Sequence, residues 1–140
     1  AIAIIKFKSN IFSTFEATTA ARPEDYEASI TIVGEKGRVK IGGIALNKVI
    51  EWKFIKTKKS DINLKKKFSQ KVKNGYGLSH KELLNNLVHN INNPKNKKEY
   101  VNINSTFSTT NLISGLYKSF EKGKIIKINN KTKSIKLGVK

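Results

Sequence analysis

The sequence predicts an α+β fold, in which an open, mostly antiparallel β-sheet carries two main helices packed on one face. Short segments of alternating polarity, bounded by turn-forming residues, fill the first part of the chain and indicate strands. Two apolar stripes with helical spacing follow, at residues 83–91 and 112–120. Because most of the strands precede the helices instead of alternating with them, the sheet is expected to be mostly antiparallel.

Length and composition indicate one globular domain. The chain has 140 residues, of which 38% are hydrophobic. The absence of cysteine excludes disulfide bonds and zinc–thiolate sites. No signal peptide and no apolar run of membrane-spanning length are visible, so we expect a cytoplasmic protein without a membrane partner. The opening Ala-Ile-Ala-Ile-Ile resembles the middle of a strand, and we expect the chain to be part of a longer protein.

The net charge of +18 has two interpretations. One is a nucleic-acid or anionic-surface partner. The other is a compositional bias of the genome, and it is favoured because lysine supplies all but two of the 28 basic residues and is scattered over every segment. Sequence-specific recognition of nucleic acid usually requires clustered arginines interleaved with aromatic residues. We therefore expect no specific nucleic-acid partner.

Alternation and turn residues predict the strands of the first part of the chain. The hairpin connection between two of them is expected at Gly34-Glu35-Lys36-Gly37, with glycines that are free to adopt positive φ. Residues 57–74 are rich in lysine and are expected to form a mobile excursion between the sheet and the first helix. The predicted strands are residues 1–8, 11–17, 27–33, 38–41 and 49–56.

The first helix is predicted over residues 81–92. Ser79 is expected to be its N-cap, because Glu82 stands three residues later as in a capping box, and Pro94 stops the helix. Two glycines lie just before Ser79, in Gly75-Tyr76-Gly77. Free N–H groups at this helix entry could hold an anionic ligand. The alternative is an ordinary loop that leads into a helix.

The last part of the chain is predicted to contain a second helix and short strands. Ser108 is expected to cap this helix, and Gly123 is expected to end it as the residue beyond its C-terminus. Strands are predicted over residues 100–103, 124–128 and 134–139.

The sequence contains none of the motifs of a self-sufficient enzyme. In Gly75-Tyr76-Gly77-Leu78-Ser79-His80 the third glycine of a dinucleotide-binding fingerprint is replaced by histidine, and a P-loop is absent. His80 and His89 lack a carboxylate at metal-ligand spacing. No pair of acidic residues suggests general acid–base catalysis. We therefore expect no catalytic, cofactor-binding or metal-binding residues in this chain.

Five segments, in order along the chain, carry a family likeness. They are FEATTAARP at 15–23, ASITIVGEKG at 28–37, IGGIALNK at 41–48, GLSH at 77–80 and LISGLYKSFEKGK at 112–124. Together they resemble the C-terminal domain of the Gfo/Idh/MocA oxidoreductase family. Gly77-Leu78-Ser79-His80 is similar to that family's Gly-His entry to a helix, although Ser79 replaces the more usual glycine. Among family members, the sequence is most similar to those acting on nucleotide-linked sugars, such as UDP-N-acetylglucosaminuronate 3-dehydrogenases.

The resemblance implies that residues 1–140 form a single C-terminal domain for substrate binding and oligomerisation. In the parent enzyme, a dehydrogenase, an N-terminal Rossmann domain absent from this chain would bind NAD or NADP and the chain alone would be inactive. The substrate would be a sugar or nucleotide sugar. The open sheet face would form a homo-oligomer. The alternative, in a different functional class, is a basic nucleic-acid-binding module.

The resemblance also suggests substrate-binding residues. His80 and Tyr76 could contact the sugar or its phosphates, or lie at a solvated helix terminus. Arg22 could bind a carboxylate or diphosphate, or form a surface ion pair with an acidic neighbour, Glu24 or Asp25. Two further candidates, Asn47 and Lys48, are expected at the substrate edge or the subunit contact.

Overall fold

The computed structural model describes residues 1–96, 98 and 102–137. It confirms the α+β class: five strands form two antiparallel sheets, of two and three strands, and three α-helices and one short 3₁₀ turn accompany them. The chain divides into two compact units. The terminal unit comprises Ala1–Ala17 and Lys95–Lys140, and the central unit comprises Thr18–Pro94.

The sheet of the terminal unit is a hairpin of β1 (Ile2–Lys6) and β2 (Phe12–Glu16). Asn10 turns the chain with a φ of 61°, and its amide donates to the Phe7 carbonyl at 3.0 Å. Asparagine tolerates the left-handed region better than most residues, which suits it to this tight turn.

The sheet of the central unit has the order β3 (Ile30–Gly34), β4 (Gly37–Gly42) and β5 (Lys48–Phe54). The register places Val39 of the middle strand opposite both Ile32 and Trp52, so these side chains share one face. The opposite face is charged. There, the Arg38 guanidinium contacts the Glu51 carboxylate at 2.8 Å. Alternation in the sequence therefore predicted the two-sided character of this sheet.

The connection between β3 and β4 differs from the prediction in its backbone. Gly34 and Gly37 pair with each other, so the turn consists of Glu35 and Lys36, and neither glycine adopts positive φ. Gly37 is instead required because the backbone of β5 lies very close to it. A Cβ there would overlap the Lys53 carbonyl oxygen and would lie 2.6 Å from Cδ1 of Phe54.

The residues that precede the first long helix are more ordered than predicted. Residues 57–74 include the 3₁₀ turn Lys59–Asp61 and the helix α1 (Leu64–Phe68). Helix α2 spans Ser79–Asn92, and its N-cap is Leu78. Ser79 is thus the first helical residue instead of the N-cap. The predicted capping box is not formed, because the helix begins one residue earlier than the side-chain pattern indicated.

Helix α3 (Ile103–Lys122) begins five residues earlier than its predicted cap at Ser108. Asn102 is the N-cap, and its side-chain oxygen accepts from the Ser105 amide at 3.0 Å. Gly123 ends the helix with a φ of 59°, as predicted. Among the described helices, none combines the length and the apolar character needed to cross a membrane.

The strands predicted after α3 are not formed in the described residues 124–137. Side chains satisfy the backbone there instead. Thr132 closes a turn with Asn129, and the Glu121 carboxylate accepts from the Ser134 hydroxyl and, at 2.9 Å, from the Lys136 amide. Residues 138 and 139 of the last predicted strand lie outside the described residues, as do residues 100 and 101 of the strand predicted before α3.

The close approach at Gly37 generates a stability prediction. Gly37→Ala is expected to destabilise the protein by about 1–3 kcal/mol, because the added Cβ meets backbone atoms of β5 that cannot move independently. Gly34→Ala is the matched control, since the nearest atom to its Cβ is the Gly37 carbonyl oxygen at 3.9 Å. Denaturant unfolding monitored by circular dichroism measures both. Equal stabilities of the two variants would contradict the described packing of this hairpin.

The contacts of Glu121 generate a pH prediction. Hydrogen bonds from Ser134 and from the backbone at Lys136 lower the pKa of the Glu121 carboxyl below its usual value of 4.5. Its contribution to stability is therefore complete above that usual value and is lost as the pH falls through the lowered folded-state pKa. The protection of the Lys136 amide, its hydrogen-exchange rate relative to the intrinsic rate at the same pH, is expected to fall on acidification in the wild type. Glu121→Gln, whose neutral amide oxygen is a weaker acceptor than a carboxylate, should lower this protection already at neutral pH.

Glu35→Gln, in the exposed hairpin turn, is the control that removes the same charge elsewhere. An unchanged exchange rate at Lys136 in Glu121→Gln would disprove the role of this carboxylate.

Candidate functional site

The link between β4 and β5 is built around the side chain of Asn47. Its Nδ2 donates to the Gln70 carbonyl at 2.6 Å, and its Oδ1 accepts from the Ala45 amide at 3.3 Å. Its backbone oxygen accepts from the Gln70 amide at 2.8 Å. Gly43, with a φ of 92°, leaves the space that Asn47 Oδ1 occupies, because a Cβ at this position would overlap that oxygen. The tight link therefore depends on a glycine and an amide together.

A further bond strengthens the contact between this link and the segment after α1. Ser69 Oγ accepts from the Val49 amide at 3.1 Å, next to the bonds between Asn47 and Gln70. Together these bonds hold residues 69–70 against the start of β5. Sequence reasoning did not select Ser69 or Gln70, since isolated polar residues in a lysine-rich segment produce no periodic signal.

The glycine loop before α2 packs on the same link. A Cβ at Gly77 would lie 3.2 Å from the Cβ of Ala45, and one at Gly75 would lie 3.4 Å from the Ile44 carbonyl oxygen. Gly77 also has a φ of 65°, which disfavours any larger residue. Gly77 is thus required for close approach of the loop to the link, whereas a Cβ at Gly75 would make an ordinary van der Waals contact.

Asn74 organises the glycine loop from within. The amide of Tyr76 donates to Asn74 Oδ1 at 3.1 Å, and the amide of Gly77 donates to the Asn74 carbonyl at 3.3 Å. Of the free N–H groups predicted at this helix entry, those of Tyr76 and Gly77 are therefore already satisfied. Further along, Leu78 cannot cap α2 through an oxygen, so the first-turn N–H groups of α2 receive no side-chain cap.

Tyr76 and His80 extend from this region with little covering. Tyr76 is 78% exposed, and His80 is exposed in the first turn of α2. Lys48, the exposed first residue of β5, directly follows Asn47. Four of the five predicted site residues thus belong to two segments in contact, the link and the glycine loop with its helix. Their roles as ligands of a substrate remain predictions.

Arg22, the fifth predicted site residue, is bound to its own loop. Its Nη1 donates to the carbonyls of Ala21, at 2.7 Å, and of Thr19, at 3.2 Å. The alternative of an ion pair with Glu24 or Asp25 is not observed, because the ion pairs of the described residues lie on the sheet and at Glu27. A carboxylate oxygen of Asp25 lies 3.5 Å from the Cβ position of Gly75, so the loop of Arg22 reaches the glycine loop.

The glycine loop differs from a dinucleotide-binding loop. Such a loop follows a strand and presents unpaired N–H groups, whereas here the preceding regular element is α1 and the Asn74 turn engages the N–H groups of Tyr76 and Gly77. In the part of the chain that the structure describes, no three His, Asp or Glu side chains group closely enough to hold a metal ion. The region could instead bind an anionic or hydroxyl-rich ligand through lysine, arginine, tyrosine and histidine side chains.

Comparisons with solved structures identify two similar proteins. The WlbA dehydrogenase from Bordetella pertussis, in complex with NADH and UDP-GlcNAcA, superposes with a TM-score of 0.75 at 26% identity over 87% of this chain. The WlbA dehydrogenase from Chromobacterium violaceum, in complex with the same two molecules, gives a TM-score of 0.69 at 25% identity over 86% of this chain. This chain covers 34% and 32% of those proteins, about a third of their length.

A search of curated protein sequences found no significant match. The model of the oxidoreductase family C-terminal alpha/beta domain, in contrast, matches residues 1–128, most of the chain. Nothing in these comparisons points to a nucleic-acid-binding module. The chain therefore belongs to the Gfo/Idh/MocA oxidoreductase family, as a C-terminal α/β domain.

Proposed function

We propose that this chain is the substrate-binding and oligomerisation domain of an NAD(P)-dependent dehydrogenase that acts on a sugar or nucleotide sugar. The observation that carries the proposal is the similarity, over 87% of the chain, to a dehydrogenase crystallised with NADH and UDP-GlcNAcA. The family match supports the same class of reaction.

We propose that another domain of the parent enzyme binds the nicotinamide cofactor. The dinucleotide fingerprint is missing from the sequence, and the N–H groups of Tyr76 and Gly77 in the glycine loop are engaged by Asn74. A bound nicotinamide would accept hydride from the sugar carbon that is oxidised. We assign no step of that transfer to this chain, which we propose to be inactive alone and to shape the substrate site in the parent enzyme.

Within the proposed site, charge and position suggest different roles for the five residues. Lys48 and Arg22 supply positive charge for the phosphates or a carboxylate of the substrate. Tyr76 and His80 offer exposed donors and acceptors for sugar hydroxyls. Asn47 remains a substrate-binding candidate, but its amide already bonds to Gln70 and Ala45, which supports a role in positioning Lys48.

The proposed oligomer uses apolar surface that the chain leaves exposed. On the central sheet, Ile32 is 63% exposed and lies on the same face as Val39 and Trp52, whereas Val33, on the opposite face, is 77% exposed. Within the terminal hairpin, Ile4 is 75% exposed. An exposed apolar sheet face, such as that of Ile32, is uncommon in a monomer and usually marks an interface. A symmetric homo-oligomer is the commonest way to bury such a surface.

The substrate assignment predicts a selective effect on affinity. In the full-length enzyme, Lys48→Gln and Arg22→Gln are each expected to raise KM for UDP-GlcNAcA by roughly 10- to 100-fold, with kcat changed much less, because a charge-assisted hydrogen bond to a phosphate or carboxylate is lost. Initial rates of NADH formation measure both parameters. Lys127→Gln, at an exposed lysine of the terminal unit, is the matched control.

Asn47→Ala separates positioning from direct contact. If Asn47 positions Lys48, the Asn47→Ala variant should show a higher KM for UDP-GlcNAcA than the wild type. It should also show faster hydrogen exchange at the Gln70 amide, because bonds that hold residues 69–70 are lost. A higher KM with unchanged exchange would assign Asn47 to the substrate itself. Wild-type KM values in all of these variants would refute the proposed site.

The oligomer proposal predicts a particle larger than one chain. Light scattering at tens of micromolar protein and moderate salt is expected to give at least twice the chain mass of 15.7 kDa. Ile32→Lys should lower the mass by placing a charge in the interface, whereas Lys127→Gln should not. A monomeric mass for the wild type would exclude assembly through this domain alone.

A further inference from the structure

The strongest concentration of charge in the central unit lies outside the five candidate residues. Eight lysines occur within residues 56–73, against one acidic residue, Asp61. All eight are exposed. We call them the lysine collar, and they are Lys56, Lys58, Lys59, Lys65, Lys66, Lys67, Lys71 and Lys73.

The charge of the lysine collar is not compensated within the described chain. The ion pairs there involve Arg38, Lys40 and Lys53. Asp61, the acidic residue of the segment, accepts a hydrogen bond from the backbone amide of Lys58 at 2.8 Å. Uncompensated like charges at this density repel one another and oppose compaction. The charged face of the central sheet shows the contrast, because its lysines and arginine are paired with glutamates.

The collar is held next to the candidate site. Lys67 stands two residues before Ser69, which bonds to Val49, and Lys71 follows Gln70, which bonds to Asn47. An extended chain spans at most about 3.3–3.6 Å per residue, so both backbones lie within roughly one Debye length, about 10 Å at 0.1 M salt, of those bonds. Their charges therefore act on a ligand at Lys48 even without direct contact.

We propose that the lysine collar is the capture surface for an anionic nucleotide-sugar substrate. The inference rests on the proposed function. The ligand that it specifies is a nucleoside diphosphate whose sugar carries a carboxylate. Attraction by net charge raises the local concentration of such a ligand at the mouth of the site and increases its association rate. This role needs exposed cations without acidic partners, which is what the described chain shows for the collar, with the Lys67 ammonium lying 5.3 Å from the centre of the Phe68 ring.

The test compares two triple variants of the full-length enzyme that have the same net charge. Lys65→Gln, Lys66→Gln and Lys67→Gln remove collar charges from α1, and glutamine preserves helix propensity there. Lys127→Gln, Lys131→Gln and Lys133→Gln remove exposed charges from the terminal unit. Binding of UDP-GlcNAcA is measured by calorimetry from low salt to about 0.5 M salt, where the Debye length falls to a few ångströms.

The collar variant is expected to bind UDP-GlcNAcA about tenfold more weakly than the wild type at low salt and within about twofold of it at 0.5 M salt. UDP-GlcNAc, which lacks the carboxylate, should show a smaller loss, and the terminal-unit variant should match the wild type. Circular dichroism checks that α1 and the rest of the fold persist in each variant.

The outcomes separate the two proposals. A wild-type enzyme that binds no UDP-GlcNAcA at any salt would overturn both the function and the capture role. Wild-type binding with the same salt dependence in both triple variants would overturn the capture role alone. An oligonucleotide that binds the collar more tightly than UDP-GlcNAcA at near-physiological salt would also overturn it, because the surface would then serve a nucleic acid.

Discussion

Two segments of the central unit that are distant in sequence meet at Asn47. Its side chain and its backbone oxygen both bond to Gln70, and the adjacent Val49 amide bonds to Ser69. Each such bond contributes only about 0.5–1.5 kcal/mol net, but a buried or half-buried partner left unpaired costs more. The bonds act together, so they determine how the segment after α1 lies against the start of β5, and Lys48 takes its place from them.

Close backbone approach is the second constraint on this region. Gly43 makes room for the amide oxygen of Asn47, and Gly77 lets the loop before α2 rest on Ala45. At both positions the backbone has positive φ, so a larger residue would be strained even where space could be found. Two glycines without side chains therefore help to position the site candidates, beside the bonds of Asn47 and Ser69.

The distribution of charge explains how a strongly basic chain can have a defined role. On the central sheet Arg38 and Lys53 flank Glu51, so their charge is locally balanced. Exposed pairs of this kind add little stability, because solvent and salt screen them. Within the described chain the lysine collar has no paired acidic residues, and the capture role that we propose for it depends on its electrostatic field. Lysine suits this function, since it is a compact charge on a flexible stem, whereas arginine favours fixed bidentate contacts.

The sequence by itself determined the features whose cause is local. Alternation specified both faces of the central sheet, and Gly123 ended α3 because the backbone there needs a left-handed residue. The segments that resemble the family, together with the glycine-rich helix entry, indicated Tyr76 and His80 as candidate site residues.

Tertiary structure decided what depends on distant partners. In the structure the N-cap of α2 is Leu78 and not the predicted Ser79. Side-chain bonds to Glu121 are found where a strand was predicted. Tertiary structure also gave Ser69 and Gln70 a role that no spacing could indicate. Hydrogen bonds between such segments form only when the chain brings them together, and local propensity contains no information about that partner.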